Sequence, residues 1–193
     1  MMIVGVGCGP GMITVKAIEA ILGANLIYGS RRAIELASGH INDSCTVHEI
    51  SDYGSLRSIP DAAVVLSTGD PMLAGLGYLE GEIIPGISSL QIAAARLHIP
   101  IYRFTVVVAH GKDHGKACRE AAQEIARGKV VFLIADPKFD LRALGTILQD
   151  TGELTRIALC EKLGYPEERI VIGTPREPPV AESDLFSVVA GTF

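Results

Sequence analysis

Short β-branched runs that each break into a glycine-bearing loop, and then into a helical pattern, most restrict how this chain can fold. Ile3-Val4-Gly5-Val6 runs into Gly7-Cys8-Gly9-Pro10-Gly11, and Val64-Val65-Leu66 into Ser67-Thr68-Gly69-Asp70-Pro71. Ile83-Ile84 runs into Pro85-Gly86-Ile87-Ser88-Ser89. Strands alternating with helices at this rhythm specify a parallel sheet with helical crossovers, and near-continuous apolar strands are those buried on both faces. The expected class is α/β. In such sheets ligands gather beyond the carboxyl ends of the strands, which is where these three loops fall.

Residues 14–22 read as a helix with Val15, Ile18, Ala20 and Ile21 along its apolar side, and 26–28 as a short strand. Ser30 is placed to cap a helix running to about Ala37, and 90–97 continue as an alanine-rich helix. Near residues 98–103, Pro100 interrupts the helical pattern and marks a change of unit. The second half then repeats the theme, with strands at 105–109, 130–134, 157–160, 170–172 and 187–189 and helices at 117–126 and 141–148. Two α/β domains are expected, 1–100 and 103–193, with a ligand cleft between them.

Composition narrows the partners. The 193 residues, 48% of them apolar, suffice for real cores. A net charge of −5, from 17 basic and 22 acidic residues, argues against nucleic acid. No apolar run approaches the roughly 18 residues needed to span a bilayer, and no basic leader precedes the first strand. Cys8, Cys45, Cys118 and Cys160 are widely spaced without a CxxC pair, so four reduced thiols in a cytoplasmic protein are expected, and no structural metal.

Each loop has a chemical and a plain reading. The glycine loop could cradle a dinucleotide phosphate, but Pro10 removes an amide donor and the second strand ends in Tyr28-Gly29-Ser30-Arg31, without the acidic residue that would hold a ribose. An NADP site with Arg31 on the 2′-phosphate stays open, as does a simple tight turn. Asp70, between Gly69 and Pro71, is either a pre-organised acceptor for a ligand's hydroxyl or amino groups or a cap on the next helix. Ser88 and Ser89 sit at another helix start. His110 and His114, four apart, suggest a metal, though Gly111 makes a helix through both doubtful. A cationic loop facing an anionic ligand, with Lys112 and the nearby Lys116, is better supported than a metal, with a plain solvated loop as the alternative; Arg31-Arg32 are likewise either positive charge on the ligand side or ordinary surface basicity.

Together these stretches resemble the tetrapyrrole methylase family. The resemblance rests on residues 4–11, Thr14-Val15-Lys16-Ala17, Gly29-Ser30-Arg31-Arg32, residues 67–71, residues 85–97, His110-Gly111-Lys112 and residues 161–169 (Glu-Lys-Leu-Gly-Tyr-Pro-Glu-Glu-Arg). The Arg pair, Pro-Gly-Ile-Ser-Ser-Leu-Gln and His-Gly-Lys point within the family to the branch that methylates carbon 5 of a cobalt-precorrin, the precorrin-7 to precorrin-8 step of cobalamin biosynthesis. The resemblance implies S-adenosylmethionine bound between two α/β domains, usually of a homodimer. It implies cofactor contacts from Pro10, Gly69, Asp70, Leu73, Ser88 and Ser89, and from Ile134, Ala135 and Leu163 in the second domain. The substrate is a polycarboxylate tetrapyrrole, for which Arg31, Arg32, His110 and Lys112 are the expected cationic contacts. No catalytic side chain is assigned, because the methyl acceptor is a substrate carbon. The chain departs from the family pattern at Cys8, an extra residue in the glycine loop, and at Met12-Ile13, where an acidic-proline insertion is missing. Carbon-15 methylation and decarboxylation belong to a separate partner enzyme. The rival readings are another family member (diphthine synthase, or a different ring carbon), an NADP-dependent oxidoreductase, and a non-catalytic ligand-binding protein.

Overall fold

The computed structural model describes residues 1–193 apart from Lys112, Thr151 and Glu153. The chain forms two compact units, Met1–Ser89 and Leu90–Phe193, each α/β. The division falls in the first turn of the alanine-rich helix rather than at Pro100. That helix goes with the second unit, where its Arg96 pairs with Glu168.

In the first unit five parallel strands, β1 (Met2–Gly5), β2 (Leu26–Gly29), β3 (Thr46–Glu49), β4 (Val64–Ser67) and β5 (Glu82–Ile84), lie in the order β3-β2-β4-β1-β5. Their two-residue alternation sorts the core. Val4, Val64, Leu66, Ile27 and Ile84 pack with Ala17 and Ile21 of α1 (Val15–Leu22) and Ala33 and Ala37 of α2 (Arg31–Ala37). Ile3, Val65, Tyr28 and Ile83 belong to a second cluster with Leu56, Leu76 and Leu79. Both helices start on side-chain caps: Thr14 Oγ1 accepts from Ala17 N and Ser30 Oγ from Ala33 N, each at 3.2 Å.

The sheet order sets the site. From β1 the chain passes β4 to reach β2, whereas from β4 it passes β1 to reach β5. Neighbouring strands whose onward connections run to opposite sides form the switch point where α/β sheets bind ligands. The loops at that point are the first two glycine loops of the sequence.

The second unit holds α3 (Ser89–Arg96), β6 (Phe104–Val108), α4 (His114–Ala126), β7 (Val130–Ile134), α5 (Leu141–Leu148), β8 (Arg156–Glu161), β9 (Arg169–Gly173) and β10 (Phe186–Gly191). Its sheet has the order β6-β7-β10-β8-β9. Only β6 and β7 are parallel; β10 runs antiparallel to both neighbours, and β8 to β9. The uniformly parallel reading is corrected here. No helix separates β8 from β9, which form an antiparallel pair, and the helix-free connection from β9 passes β8 to set β10 on its other edge, antiparallel to β8 and in the direction of β9. Ala117, Ala121 and Ile125 of α4 and Leu144 and Leu148 of α5 share a core with Val107, Val131, Leu133, Leu159 and Val188.

Candidate functional site

The first unit brings three loop backbones into contact. Gly7 N donates to the Gly69 carbonyl at 3.3 Å and Gly69 N to the Gly7 carbonyl at 2.7 Å, an isolated bridge between the loops after β1 and β4. Both residues are left-handed, at φ +80° and +69°, which favours glycine. Gly86, from the loop after β5, packs so closely that a Cβ on it would lie 2.2 Å from the Gly69 oxygen.

The rest of the glycine loop is a turn. Met12 N reaches back to the Gly9 carbonyl at 3.3 Å, with Gly11 at φ +74°. Proline second and a left-handed glycine third make a type II β-turn, which accounts for Pro10-Gly11. Pro10 is exposed, and Cys8, the extra residue, is buried with its Sγ 3.7 Å from Met12 Sδ. The N–H of Ala17, in the first turn of α1, is met by Thr14 rather than by a loop that could cradle phosphate. This geometry disfavours the dinucleotide reading.

Asp70 is a brace. Its Oδ1 accepts from Met72 N at 2.9 Å and Leu73 N at 3.4 Å, and its Oδ2 from Gly86 N at 3.1 Å. It therefore caps the turn that follows, and this turn does not lengthen into a helix. A carboxylate has about four acceptor sites, so three amides leave room for one donor from a ligand. Leu73 and Ser89 are half-buried and Ser88 is buried; the Ser88 Cα would lie 3.6 Å from a Cβ on Gly69. Gly69, Asp70, Leu73 and Ser88 are thus brought together, with Pro10 on the outer turn of the adjoining loop.

The two arginines part company. Arg31 Nε pairs with Glu35 on its own helix at 3.0 Å, its side chain 80% exposed. Arg32, half-buried, donates from Nη2 to Thr68 Oγ1 at 3.0 Å, beside Gly69.

In the second unit the ends of β6 and β7 are joined. Ala109 N and His110 N both donate to the Ile134 carbonyl, at 3.0 and 2.8 Å. His110 is exposed, Ile134 and Ala135 are half-buried, and Lys112 lies outside the described residues. The two histidines do not converge on a metal: His114 Nε2 lies 3.0 Å from Asp136 Oδ2, and no cluster of three or more metal-ligating side chains occurs among the described residues. Asp136 also accepts from Gly111 N at 3.1 Å and Lys138 N at 2.9 Å. The Gly111 amide first, then the His114 hydrogen bond, hold its carboxyl down at about 2 against a partial opposition from burial. A carboxyl lowered on folding stabilises the native state above its unfolded pKa and loses that contribution as pH falls through the folded value. The melting-temperature gap between wild type and Asp136→Asn is therefore expected to be full at about pH 5 and to close toward about pH 2; a gap independent of pH would refute this role.

Leu163 is buried in a loop that braces itself. Lys162 is left-handed at φ +46° and Gly164 at +83°. Glu168 Oε2 accepts from Gly164 N at 2.8 Å, and Glu161 pairs with Arg169 across the β8–β9 register. Glu161 is 2% exposed and also accepts from Glu182 N and Ser183 N at 2.6 and 2.8 Å. Burial alone would raise its carboxyl; the Arg169 guanidinium and the two amides outweigh it and hold the group below the ordinary range.

The sequence reading missed Thr68, Asp136 and Glu161. Asp136 carried a signal, since Asp136-Pro137 at the end of β7 echoes Asp70-Pro71 after β4.

Known proteins agree with this architecture. The family model of tetrapyrrole (corrin/porphyrin) methylases matches residues 2–179. A protein of Methanocaldococcus jannaschii, described as a probable cobalt-precorrin-7 C(5)-methyltransferase, is 33% identical over 95% of this chain and 93% of its own. The cobalt-precorrin-7 C(5)-methyltransferase of Salmonella typhimurium is 27% identical over 88% and 89%. The crystal structure of the cobalamin biosynthesis precorrin-6Y methylase of Archaeoglobus fulgidus superposes with a TM-score of 0.77 at 31% identity, covering 100% of this chain and 98% of that one. With a family match over most of its length and the fold to go with it, this chain belongs to the tetrapyrrole methylases.

Proposed function

We propose that this protein is a methyltransferase that moves the methyl group of S-adenosylmethionine to carbon 5 of a cobalt-precorrin in cobalamin biosynthesis. The observation that carries the reading is a half-buried arginine, Arg32, anchored beside the Gly-Asp-Pro loop at the switch point of the first sheet. In a chain of net charge −5, it supplies local positive charge where a polycarboxylate substrate needs it. The named relatives support the choice of ring carbon.

The first unit fits the donor. A Cβ on Gly69 would meet only ordinary contacts at 3.6 Å and beyond, so this buried glycine is set by its left-handed backbone and its bridge to Gly7 rather than by crowding. Asp70 keeps one acceptor site for a ribose hydroxyl or an amino group. Pro10, Gly69, Asp70, Leu73, Ser88 and Ser89 are proposed to hold the donor, with Ile134, Ala135 and Leu163 as further contacts. Arg32 is the principal proposed substrate contact. His110 and Lys112 are further ones, and Arg31, already paired with Glu35, is the weakest of the four. S-adenosylmethionine supplies an activated methyl, so the protein need not provide a nucleophile. Its residues act by fixing the substrate carboxylates and keeping the reacting carbon in line and free of water. A cytoplasmic homodimer, acting beside a separate carbon-15 methyltransferase and decarboxylase, completes the proposal. No helix among the described residues is long and apolar enough to cross a membrane.

Incubation with methyl-labelled S-adenosylmethionine and cobalt-precorrin-7 tests the reading. Label at carbon 5, located by NMR, is the expected result. Label at another ring carbon, or no transfer while NADP binds in a parallel titration, would overturn it.

A further inference from the structure

Two arginines open α2, where the positive end of the helix dipole disfavours cations, so helix stability does not explain them. Arg31 is neutralised by Glu35. The Arg32 guanidinium meets a neutral hydroxyl instead, and among the described residues no carboxylate pairs with it. A half-buried cation without a counter-ion is poised for an anion from outside the chain.

We propose that Thr68 is a positioning residue: its hydroxyl fixes the Arg32 guanidinium beside the Gly-Asp-Pro loop so that the free edge of the fork clamps one carboxylate of the substrate. This rests on the proposed function and goes beyond it by singling out one arginine of the pair and the residue through which it is aimed.

The chain of constraint can be followed atom by atom. Gly69 is bridged in both directions to Gly7, which pins the backbone immediately after Thr68. Ser67, which ends β4, is buried, with its hydroxyl 3.4 Å from the Thr68 carbonyl. A β-branched side chain on so constrained a backbone has few χ1 wells, so Oγ1 is a fixed acceptor. It engages Nη2 and leaves Nη1 and the remaining N–H groups for a planar, bidentate contact. Without the hydroxyl, the long side chain would sample many rotamers and would have to be ordered by the substrate itself.

The test uses Thr68→Val, which keeps the shape and removes the acceptor, with Thr68→Ser as rescue and Arg32→Ala as reference. Steady-state kinetics with cobalt-precorrin-7 and calorimetric titration with S-adenosylmethionine are the readouts. Thr68→Val is expected to raise KM for the tetrapyrrole about tenfold, with kcat within about twofold and donor affinity unchanged. Thr68→Ser should return KM to near the wild-type value, and Arg32→Ala should raise it at least as much as Thr68→Val. A wild-type KM in Thr68→Val while Arg32→Ala raises it would overturn the positioning role. So would a parallel loss of donor affinity, which would place the effect in the loop rather than in Arg32. A wild-type KM in Arg32→Ala would instead remove Arg32 from the substrate contacts, and a wild-type enzyme that leaves cobalt-precorrin-7 untouched would refute the proposed reaction itself.

Discussion

Gly86→Ala is expected to destabilise the first unit by about 3 kcal/mol and to cut methyl transfer by about a hundredfold. The added Cβ would lie 2.2 Å from the Gly69 oxygen, 2.8 Å from the Gly5 carbonyl carbon and 2.9 Å from its Cα. All three are backbone atoms, so no side chain can swing aside. Gly69 cannot retreat without breaking its bridge to Gly7, and Gly5 is held in β1 between β4 and β5. The three loops must part, and the proposed donor contacts part with them. Gly11→Ala is the matched control: nothing lies within 4 Å of its Cβ position. Its cost is the left-handed backbone alone, about 1 kcal/mol. Urea melts and initial rates on both variants decide the matter. Equal stability of the two would mean that the loops separate freely and that their close packing has no role.

Asp70→Ala is expected to cost about 3 kcal/mol and to weaken S-adenosylmethionine binding at least tenfold. The alanine leaves Met72 N, Leu73 N and Gly86 N without their acceptor. The first two cap a turn and the third ties that turn to the loop after β5, so two consequences are mixed in one variant. Asp70→Asn separates them. An asparagine oxygen can still accept on one side, but its amide group faces an N–H on the other. Stability should fall by only about half as much, whereas an acceptor lost to the ligand lowers affinity regardless. Calorimetry with both variants is the measurement. Unchanged donor affinity in Asp70→Ala would leave Asp70 as a structural brace alone.

Much of the first unit was legible because local chemistry and burial agree there. Thr14 and Ser30 cap the helices they precede, and β1 and β4 read as unbroken apolar runs because both faces of their sheet are covered. β3 escaped notice for the converse reason. Thr46, Val47, His48 and Glu49 are all exposed, and the strand pairs only with β2, so no apolar alternation marks it. In the second unit the strand positions were readable but their directions were not. Direction depends on which strand each connection reaches: residues 162–168 turn β8 back into its neighbour β9, whereas residues 174–185, equally without a helix, pass β8 and bring β10 in along the direction of β9. At the site, Gly69-Asp70-Pro71 announced itself by residue type. The division of labour between Arg31 and Arg32 did not, since it is decided by which acceptor each guanidinium reaches in space. Glu161 was invisible for a similar reason: its amide partners at 182 and 183 lie about twenty residues further along the chain.

The placement of β10 orders the assembly of the second sheet. β6 and β7 form one pair and β8 and β9 another, and β10 lies between them, bonded to β7 on one edge and β8 on the other. Until this strand inserts, the two pairs share no ladder, and each leaves an open edge able to recruit a stray strand. Closure of the unit therefore waits on Phe186–Gly191, while every strand of the first unit has been made by Ile84. On the ribosome, the first unit can be finished while the second is still two unjoined ribbons.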